Sequence, residues 1–197
     1  MVSKRHSTEL QATMHLSQTN MAAIASDAAE ADLEKVFLRH KDLVFRAAYR
    51  ITGNAGDAED VLQTVFLRLV SQGALPEVGN MPAYLHRSAV NASLDILRAK
   101  KNARAVSLDE DSPCVEAVSA SHTESSAEIR DWLRQALARL SPRWAEMFVL
   151  RFIEDYSNRE IAEMMQTSAA VVAVVLHRTR AQLKKDFKAM TKPGRKQ

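Results

Sequence analysis

The sequence predicts an all-α protein built from two small helical domains, joined by a flexible acidic linker, with a helix-turn-helix in the C-terminal one. Apolar residues recur every three to four positions through most of the chain, which is the period of amphipathic helices. The 197 residues include only five glycines and five prolines, too few for a β-protein rich in tight turns. Six acidic residues and no lysine or arginine occupy 105–128, so this segment separates the two helical stretches.

We expect a disordered extension over 1–30, because this part is rich in Ser, Thr, Gln and Ala and offers few apolar residues to a core. The N-terminal helical domain is predicted over 31–104 and the linker over 105–126. The C-terminal helix-turn-helix domain is predicted over 127–190, with a basic tail over 191–197.

The cysteine content and the hydropathy of the chain indicate the cellular compartment in which the protein works. Cys114 is the single cysteine, so no internal disulfide can form. No apolar run reaches the roughly 18–20 residues of a membrane span. Lys4 and Arg5 are not followed by the apolar segment of a secretory signal. These observations predict a cytoplasmic protein without a membrane span.

Two helices are predicted in the first half of the N-terminal domain. The first follows the helical period over Leu33–Ile51 and ends at Gly53, a residue suited to terminate a helix. The second has Asp57 as its expected N-cap and continues to Leu69. The short connection predicts antiparallel packing.

A third helix is predicted over Pro82–Lys101, after a loop at Ser71–Met81, because proline suits the first turn of a helix. Five basic residues against the single acid Asp95 mark the helix and its end: Arg87, Arg98, Lys100, Lys101 and Arg104. Favourable interaction with the helix dipole and binding of a polyanion are both open explanations.

The C-terminal domain begins with helices expected at Ala127–Leu140 and from Ser141 to about Asp155. A short helix at Tyr156–Met165, with Ser157 and Glu160 spaced as a capping box, precedes a turn at Gln166–Ser168. A long helix then runs from Ala169 to about Phe187. A short helix, a tight turn and a longer helix form the helix-turn-helix pattern, which places its second helix in the major groove of DNA. Basic residues outnumber acidic ones by eleven to six over 141–197, which favours phosphate binding.

The sequence predicts no enzyme. The six histidines lack the spacing of metal ligands, and there is no Gly-rich phosphate loop or nucleophile–base pairing. His40, His86 and His177 fall within predicted helices and are expected to be structural. We expect no metal and no cofactor.

Residues 53–63, Gly-Asn-Ala-Gly-Asp-Ala-Glu-Asp-Val-Leu-Gln, and the following Val-Phe-Leu-Arg-Leu at 65–69 resemble conserved region 2 of bacterial sigma factors of the extracytoplasmic-function (ECF) group. Taken alone, the polar row on this helix is a solvated face. The resemblance instead implies contact with the clamp helices of the RNA polymerase β′ subunit. The implied polymerase-binding residues are Asp57, Asp60, Gln63 and Arg68.

Residues 83–91, Ala-Tyr-Leu-His-Arg-Ser-Ala-Val-Asn, resemble the sigma motif that melts and reads the −10 promoter element. Tyr84 stands where the family usually has Trp and retains a stacking face. In the family, the linker threads the RNA exit path, where acidity would mimic RNA; a plain solvated spacer is the other interpretation that stays open. The implied −10 residues are Asn80, Met81, Tyr84, Arg87, Asn91, Arg98, Lys100 and Lys101.

Leu-Ser-Pro-Arg at 140–143, Ile-Ala-Glu at 161–163 and Leu-His-Arg-Thr-Arg at 176–180 resemble region 4, which reads the −35 element and touches the β-subunit flap. Gln166 stands where the family often has Gly. The implied −35 residues are Ser168, Ala169, Val171, Val174, His177, Arg178, Arg180 and Lys184.

The recognition helix departs from the family, because residues 171–175 are Val-Val-Ala-Val-Val where polar or basic residues are common. The helical period predicts Val172 and Leu176 in the core and Val171, Val174 and Val175 partly exposed. Three interpretations stay open: several valines are buried and flanking residues read the DNA, valines contact thymine methyl groups, or the −35 contact is weak or lost.

The function implied is that of a sigma factor that binds core RNA polymerase and directs recognition and melting of promoter DNA at transcription initiation. An anti-sigma factor is a candidate partner. An alternative is a sigma-like mimic that sequesters an anti-sigma factor without reading DNA. A third is a free-standing helix-turn-helix repressor, which would bind DNA tightly without polymerase.

Overall fold

A computed structural model describes residues 32–72, 76, 78–107 and 123–191, and within them the chain forms seven helices and no strand. The all-α prediction is therefore confirmed. The predicted N-terminal extension, the middle of the predicted linker (108–122) and the basic tail from 192 onwards lie outside the described residues. The helices are α1 (32–52), α2 (Ala55–Ser71), α3 (Met81–Ser107), α4 (Thr123–Leu137), α5 (Pro142–Phe152), α6 (Asn158–Met164) and α7 (Ala169–Thr191). None of these helices, over the ranges described, is long and apolar enough to cross a membrane.

At the junction of α1 and α2, the residue that ends α1 is the predicted one, but the N-cap of α2 is not. Gly53 ends α1 with φ of 69°, and its N–H donates to the Tyr49 carbonyl at 2.8 Å, as glycine at this position allows. The N-cap of α2 is Asn54 rather than Asp57, because the Asn54 side chain accepts the Asp57 N–H at 3.0 Å. Asp57 lies in the first turn of α2, where a carboxylate meets the positive end of the helix dipole.

The third helix is longer than the sequence indicated. Asn80 accepts the Ala83 N–H at 3.0 Å and caps α3, with Pro82 in the first turn. The helix continues past Lys101 to Ser107, because the alanine- and lysine-rich end contains good helix formers and no breaker.

The boundaries of α4 and α5 also differ from the prediction. α4 begins at Thr123 rather than Ala127 and ends at Leu137 rather than Leu140. The N–H groups of Arg139 and Leu140 donate to carbonyls three residues back, and Pro142 lies ahead. α5 has Ser141 at the N-cap position and Pro142 at the start, without a side-chain capping bond. It ends at Phe152 rather than near Asp155, whose φ of 63° leaves the helical range.

Helices α6 and α7 form the predicted helix-turn-helix. Ser157 and Glu160 make the capping box, with the Ser157 N–H donating to Glu160 Oε2 at 2.8 Å, and these hydrogen bonds lower the pKa of Glu160. Ser168 caps α7 by accepting the Val171 N–H at 3.2 Å. α7 continues past Phe187 to Thr191.

The buried apolar residues form two clusters. One joins α1, α2 and the start of α3, with Val44, Val61, Val65 and Leu85 at its centre. The second contains the apolar faces of α4–α7 and also takes in residues from α1 and α3. These contributors are Ile51, Val90, Leu94 and Leu97. The N-terminal unit (α1–α3) and the C-terminal unit (α4–α7) are therefore packed together through an apolar contact.

Candidate nucleic-acid interface

One face of α2 is open to solvent and combines polar and apolar side chains. Asp60 and Gln63 are exposed, and Leu67 and Val70 are exposed by 65% and 53%. Their spacing of three to four residues places all four on one side of the helix. Sequence reasoning missed the two apolar members, although their spacing from Gln63 was a usable signal. Exposed aliphatic side chains beside polar ones are typical of a protein–protein contact surface.

The other two predicted polymerase-binding residues behave differently. Arg68 is exposed. The Asp57 side chain is only 12% exposed and pairs with Lys100 on α3, Nζ to Oδ2 at 2.6 Å. Asp57 therefore joins α2 to α3.

The basic end of α3 lies at the junction of the two units. Lys100 and Lys101 line a cleft of about 540 Å³ together with Arg134 of α4 and with Arg139, which follows that helix. Arg134 also reaches the end of α1, where its Nε donates to the Ile51 carbonyl at 3.2 Å. The predicted −10 cations at this end thus share the cleft with other cations and with the carboxylates of Asp57 and Asp131.

The start of α3 carries three of the predicted −10 residues. Asn80 is exposed and acts as the cap, while Met81 and Tyr84 are half-buried against the first core. Further along, Arg98 pairs with Asp95 at 3.0 Å on the same helix.

Arg87 and Asn91, on the middle of α3, are held by the C-terminal unit. Glu146 on α5 accepts from Arg87 Nε at 2.6 Å and from Asn91 Nδ2 at 3.0 Å. Arg87 Nη1 donates to the Met164 carbonyl at the end of α6, at 2.7 Å. The Glu146 side chain is 8% exposed, and a buried carboxylate needs such partners.

A second carboxylate of the C-terminal unit, Glu154, is also buried against the N-terminal unit. It accepts from His86 Nε2 at 2.6 Å and from Arg50 Nε at 3.0 Å. Burial alone would raise the pKa of Glu154, but the hydrogen bonds and charges of His86 and Arg50 outweigh it and hold the pKa below the ordinary 4.5. Tyr156 lies 2.7 Å from His86 Nδ1, and burial raises its pKa, so its hydroxyl keeps the proton it can donate. His86 therefore has a structural role, as expected.

Sequence reasoning missed Glu146 and Glu154 as contact residues. A signal for Glu146 existed, because it shares the helical period with Val149 and Leu150, which are both fully buried. A carboxylate on a core-facing position predicts a cationic partner. The sequence could not say which cation, since Arg87 is 59 positions away.

All eight predicted −35 residues, on α7 and its cap, are exposed. Val172 and Leu176 are buried at 0% and 6% exposure, whereas Val171 and Val174 are exposed by 45% and 50%. Val175 is half-buried. The expected division of the valines is confirmed, and α7 presents both aliphatic and basic side chains to solvent.

The described residues contain no group of three His, Cys, Asp or Glu side chains that could hold a metal ion.

Comparison with known families identifies both helical units. The Sigma-70 region 2 model matches residues 36–103 and the Sigma-70, region 4 model matches residues 130–183. The first match contains the exposed face of α2 and the predicted −10 residues, and the second contains α6 and α7 as far as Leu183.

Two similar proteins of known family support the same identification. SigE of Mycolicibacterium smegmatis, an ECF RNA polymerase sigma factor, is 31% identical over 82% of this chain and 64% of its own length. The chain thus spans somewhat less than two thirds of that relative. CarQ of Myxococcus xanthus, an RNA polymerase sigma factor, is 31% identical over 77% of this chain and 87% of its own length.

A solved sigma factor, RpoE of Bartonella quintana in complex with the anti-sigma factor NepR, is 19% identical, with a TM-score of 0.46 over 80% of this chain and 97% of that one. This likeness is too distant to support the assignment, which rests on the two family models and on CarQ. The chain belongs to the ECF group of the sigma-70 family of RNA polymerase sigma factors.

Proposed function

We propose that this protein binds core RNA polymerase and directs it to promoters, recognising the −10 and −35 elements and opening the DNA at initiation. The observation that carries the proposal is the presence of regions 2 and 4 in one chain. Strand opening by such a factor uses binding free energy, so no cofactor is required. A protein that works with core polymerase acts in the cytoplasm.

Polymerase binding is assigned to the exposed face of α2. Asp60 and Gln63 supply hydrogen-bonding groups, and Leu67 and Val70 supply apolar area beside them. This composition suits docking on a helical protein surface, since interface energy concentrates in a few residues at the centre of the contact.

The β flap is assigned to an apolar groove of the C-terminal unit. The groove has a volume of about 610 Å³ and lies between α4, α5 and α7. Phe152 on its wall is 45% exposed. Its apolar lining residues are Trp132, Leu133, Phe148, Phe152, Ala181, Leu183 and Phe187.

DNA binding is assigned to α3 for the −10 element and to α7 for the −35 element. Exposed Arg178, Arg180 and Lys184 on α7 supply phosphate attraction. These cations disfavour the alternative of a mimic that only sequesters an anti-sigma factor. An anti-sigma factor stays a candidate partner on the family resemblance.

Run-off transcription tests the proposal. The purified protein should give core polymerase of the same organism promoter-specific transcripts from a genomic promoter. The double variant Asp60→Ala/Gln63→Ala should reduce them by roughly thirtyfold, the effect of losing about 2 kcal/mol from an interface centre.

Glu34→Ala is the matched control, because Glu34 is an exposed carboxylate on α1 and lies outside the exposed face of α2. It should leave transcription unchanged. The absence of promoter-specific initiation by the wild-type protein on every promoter tested would refute the proposed function.

A further inference from the structure

The contact between the two units covers a part of α3 that the proposed function needs. Val90, Leu94 and Leu97 on one side of α3, and Ile51 at the end of α1, belong to the same buried cluster as Leu137 and the apolar faces of the other C-terminal helices. Their spacing along α3 places them one helical turn apart. The C-terminal unit therefore lies along the middle of α3.

The polar rim of this contact contains groups assigned to DNA. Arg87 and Asn91 both donate to Glu146, and Arg87 has its second donor on the Met164 carbonyl. A carboxylate that accepts from an arginine Nε and an amide presents the same chemistry as a phosphate oxygen. While Glu146 and the Met164 carbonyl hold Arg87 Nε, Arg87 Nη1 and Asn91 Nδ2, these three groups are unavailable to a nucleic-acid backbone.

Glu154 strengthens the contact from a separate position. Its side chain has no solvent exposure, and it receives His86 from α3 and Arg50 from α1. Neither Arg50 nor His86 is assigned to DNA. The contact thus includes a second charged link that can be altered without changing the predicted DNA-binding residues.

We propose that the free protein masks its own −10 surface, with the C-terminal unit docked on α3 and Glu146 taking the place of a DNA phosphate against Arg87 and Asn91. This inference rests on the proposed function, because it takes these two residues as DNA-facing. Apolar burial supplies most of the attraction, and the two carboxylates fix the docked orientation. Both carboxylates become hydrated when the units separate, which offsets part of the lost hydrogen bonding.

The variant Glu146→Gln/Glu154→Gln tests the masking. It keeps side-chain size and removes the two negative charges that hold Arg87, His86 and Arg50. Its control is Glu163→Gln, which removes a charge from an exposed position on α6, where the Glu163 side chain is 68% exposed.

Separation of the units is measured without DNA. Spin labels are attached to Glu59→Cys in α2 and Lys185→Cys in α7, both exposed positions, in a Cys114→Ser background. Electron paramagnetic resonance then measures the distance between the two labels, and so between the units. The double Gln variant should shift this distribution to longer distances, and the control should not. An unchanged distribution overturns the proposal.

Unmasking is measured on the free protein with fluorescent single-stranded DNA of random sequence. The double Gln variant should bind about tenfold more tightly, as expected when a masked fraction is released, and adding Arg87→Ala should abolish the gain. Longer distances without tighter binding also overturn the proposal. Arg50 lies outside the predicted DNA-binding set, and Arg50→Gln should also shift the label distances to longer values. An unchanged distance in this variant, with the fold intact by circular dichroism, overturns the proposal.

Failure of the proposed function gives a different result. In that case neither the wild-type protein nor the opened variant supports run-off transcription with core polymerase, whatever distance the labels report. A protein that transcribes normally but shows no change in distance retains its function and lacks the masking.

Discussion

α3 and α7 are both assigned to promoter DNA, and the two helices differ in what surrounds their DNA-facing side chains. On α7 the polar and apolar candidates all face solvent, because only one residue per turn, such as Val172 or Leu176, enters the core. On α3 the central candidates Arg87 and Asn91 are held by a carboxylate of the other unit. In this conformation α7 can meet a duplex directly, whereas α3 must first lose its contact with α5.

The exposed face of α2 extends this contrast. Asp60 and Gln63 are open in the same conformation that covers Arg87. The surfaces assigned to polymerase and to the −35 element are therefore exposed in this conformation, whereas Arg87 and Asn91, at the centre of the surface assigned to the −10 element, are held by Glu146. A sigma factor arranged in this way would engage polymerase before it engages the −10 element.

Glu146→Ala gives the largest expected stability effect on the α3 side of this comparison. The substitution leaves Arg87 and Asn91 without their acceptor. Breaking a fully buried pair costs about 3–5 kcal/mol, and because the Arg87 side chain is 37% exposed we expect about 2 kcal/mol. Thermal and urea unfolding followed by circular dichroism measure the loss.

Glu163→Ala is the matched control, since its pair with Arg159 lies between two exposed side chains and such pairs contribute little. Equal midpoints for the two variants would show that the Glu146 contact does not stabilise the docked conformation, and the contrast between α3 and α7 would lose its energetic basis.

How far the sequence predicted these features depends on the range of the interactions involved. The helical period is a local property, so it correctly divided Val171, Val172 and Val174 between surface and core. Helix ends were less accurate where two local signals compete. Asn54 and Asp57 are both good caps, and the earlier one begins α2.

The contacts of α3 with the C-terminal unit could not be predicted in the same way. Arg87 and Glu146 are far apart in sequence, and no local pattern specifies which cation meets which carboxylate. Sequence reasoning identified Arg87 from its resemblance to the family motif and could not see that the same side chain has an acceptor within the protein. Long-range packing decides this, and only the folded chain reveals it.

The double variant Val171→Ala/Val174→Ala tests whether the exposed valines of α7 contact DNA. Both side chains are exposed, so stability should change by no more than about 0.5 kcal/mol for each. If the valines contact thymine methyl groups, the double variant should weaken −35 protection by about fivefold to tenfold, corresponding to about 1 kcal/mol. Footprinting of a cognate promoter by the complex with polymerase measures the effect.

Met190→Ala is the control, because Met190 is an apolar residue of α7 that is 52% exposed near the end of the helix, away from the valines. Unchanged −35 protection in the valine variant would exclude direct readout by these side chains and leave recognition to flanking residues such as Arg178.

Gln166→Gly gives the smallest expected effect and concerns the turn that leads into α7. Gln166 has φ of 50°, a conformation that costs a non-glycine residue about 1–2 kcal/mol. Glycine removes this strain but has more freedom in the unfolded chain, which offsets about 0.5–1 kcal/mol. We expect a net stabilisation of about 0.5 kcal/mol in urea unfolding, with unchanged −35 protection because α7 stays exposed.

Asp155→Gly, at a second positive φ of 63°, should gain less stability, because aspartate tolerates this conformation better than glutamine does. A destabilised Gln166→Gly variant would mean that the Gln166 side chain itself supports the turn, and that the position of α7 depends on more than backbone geometry.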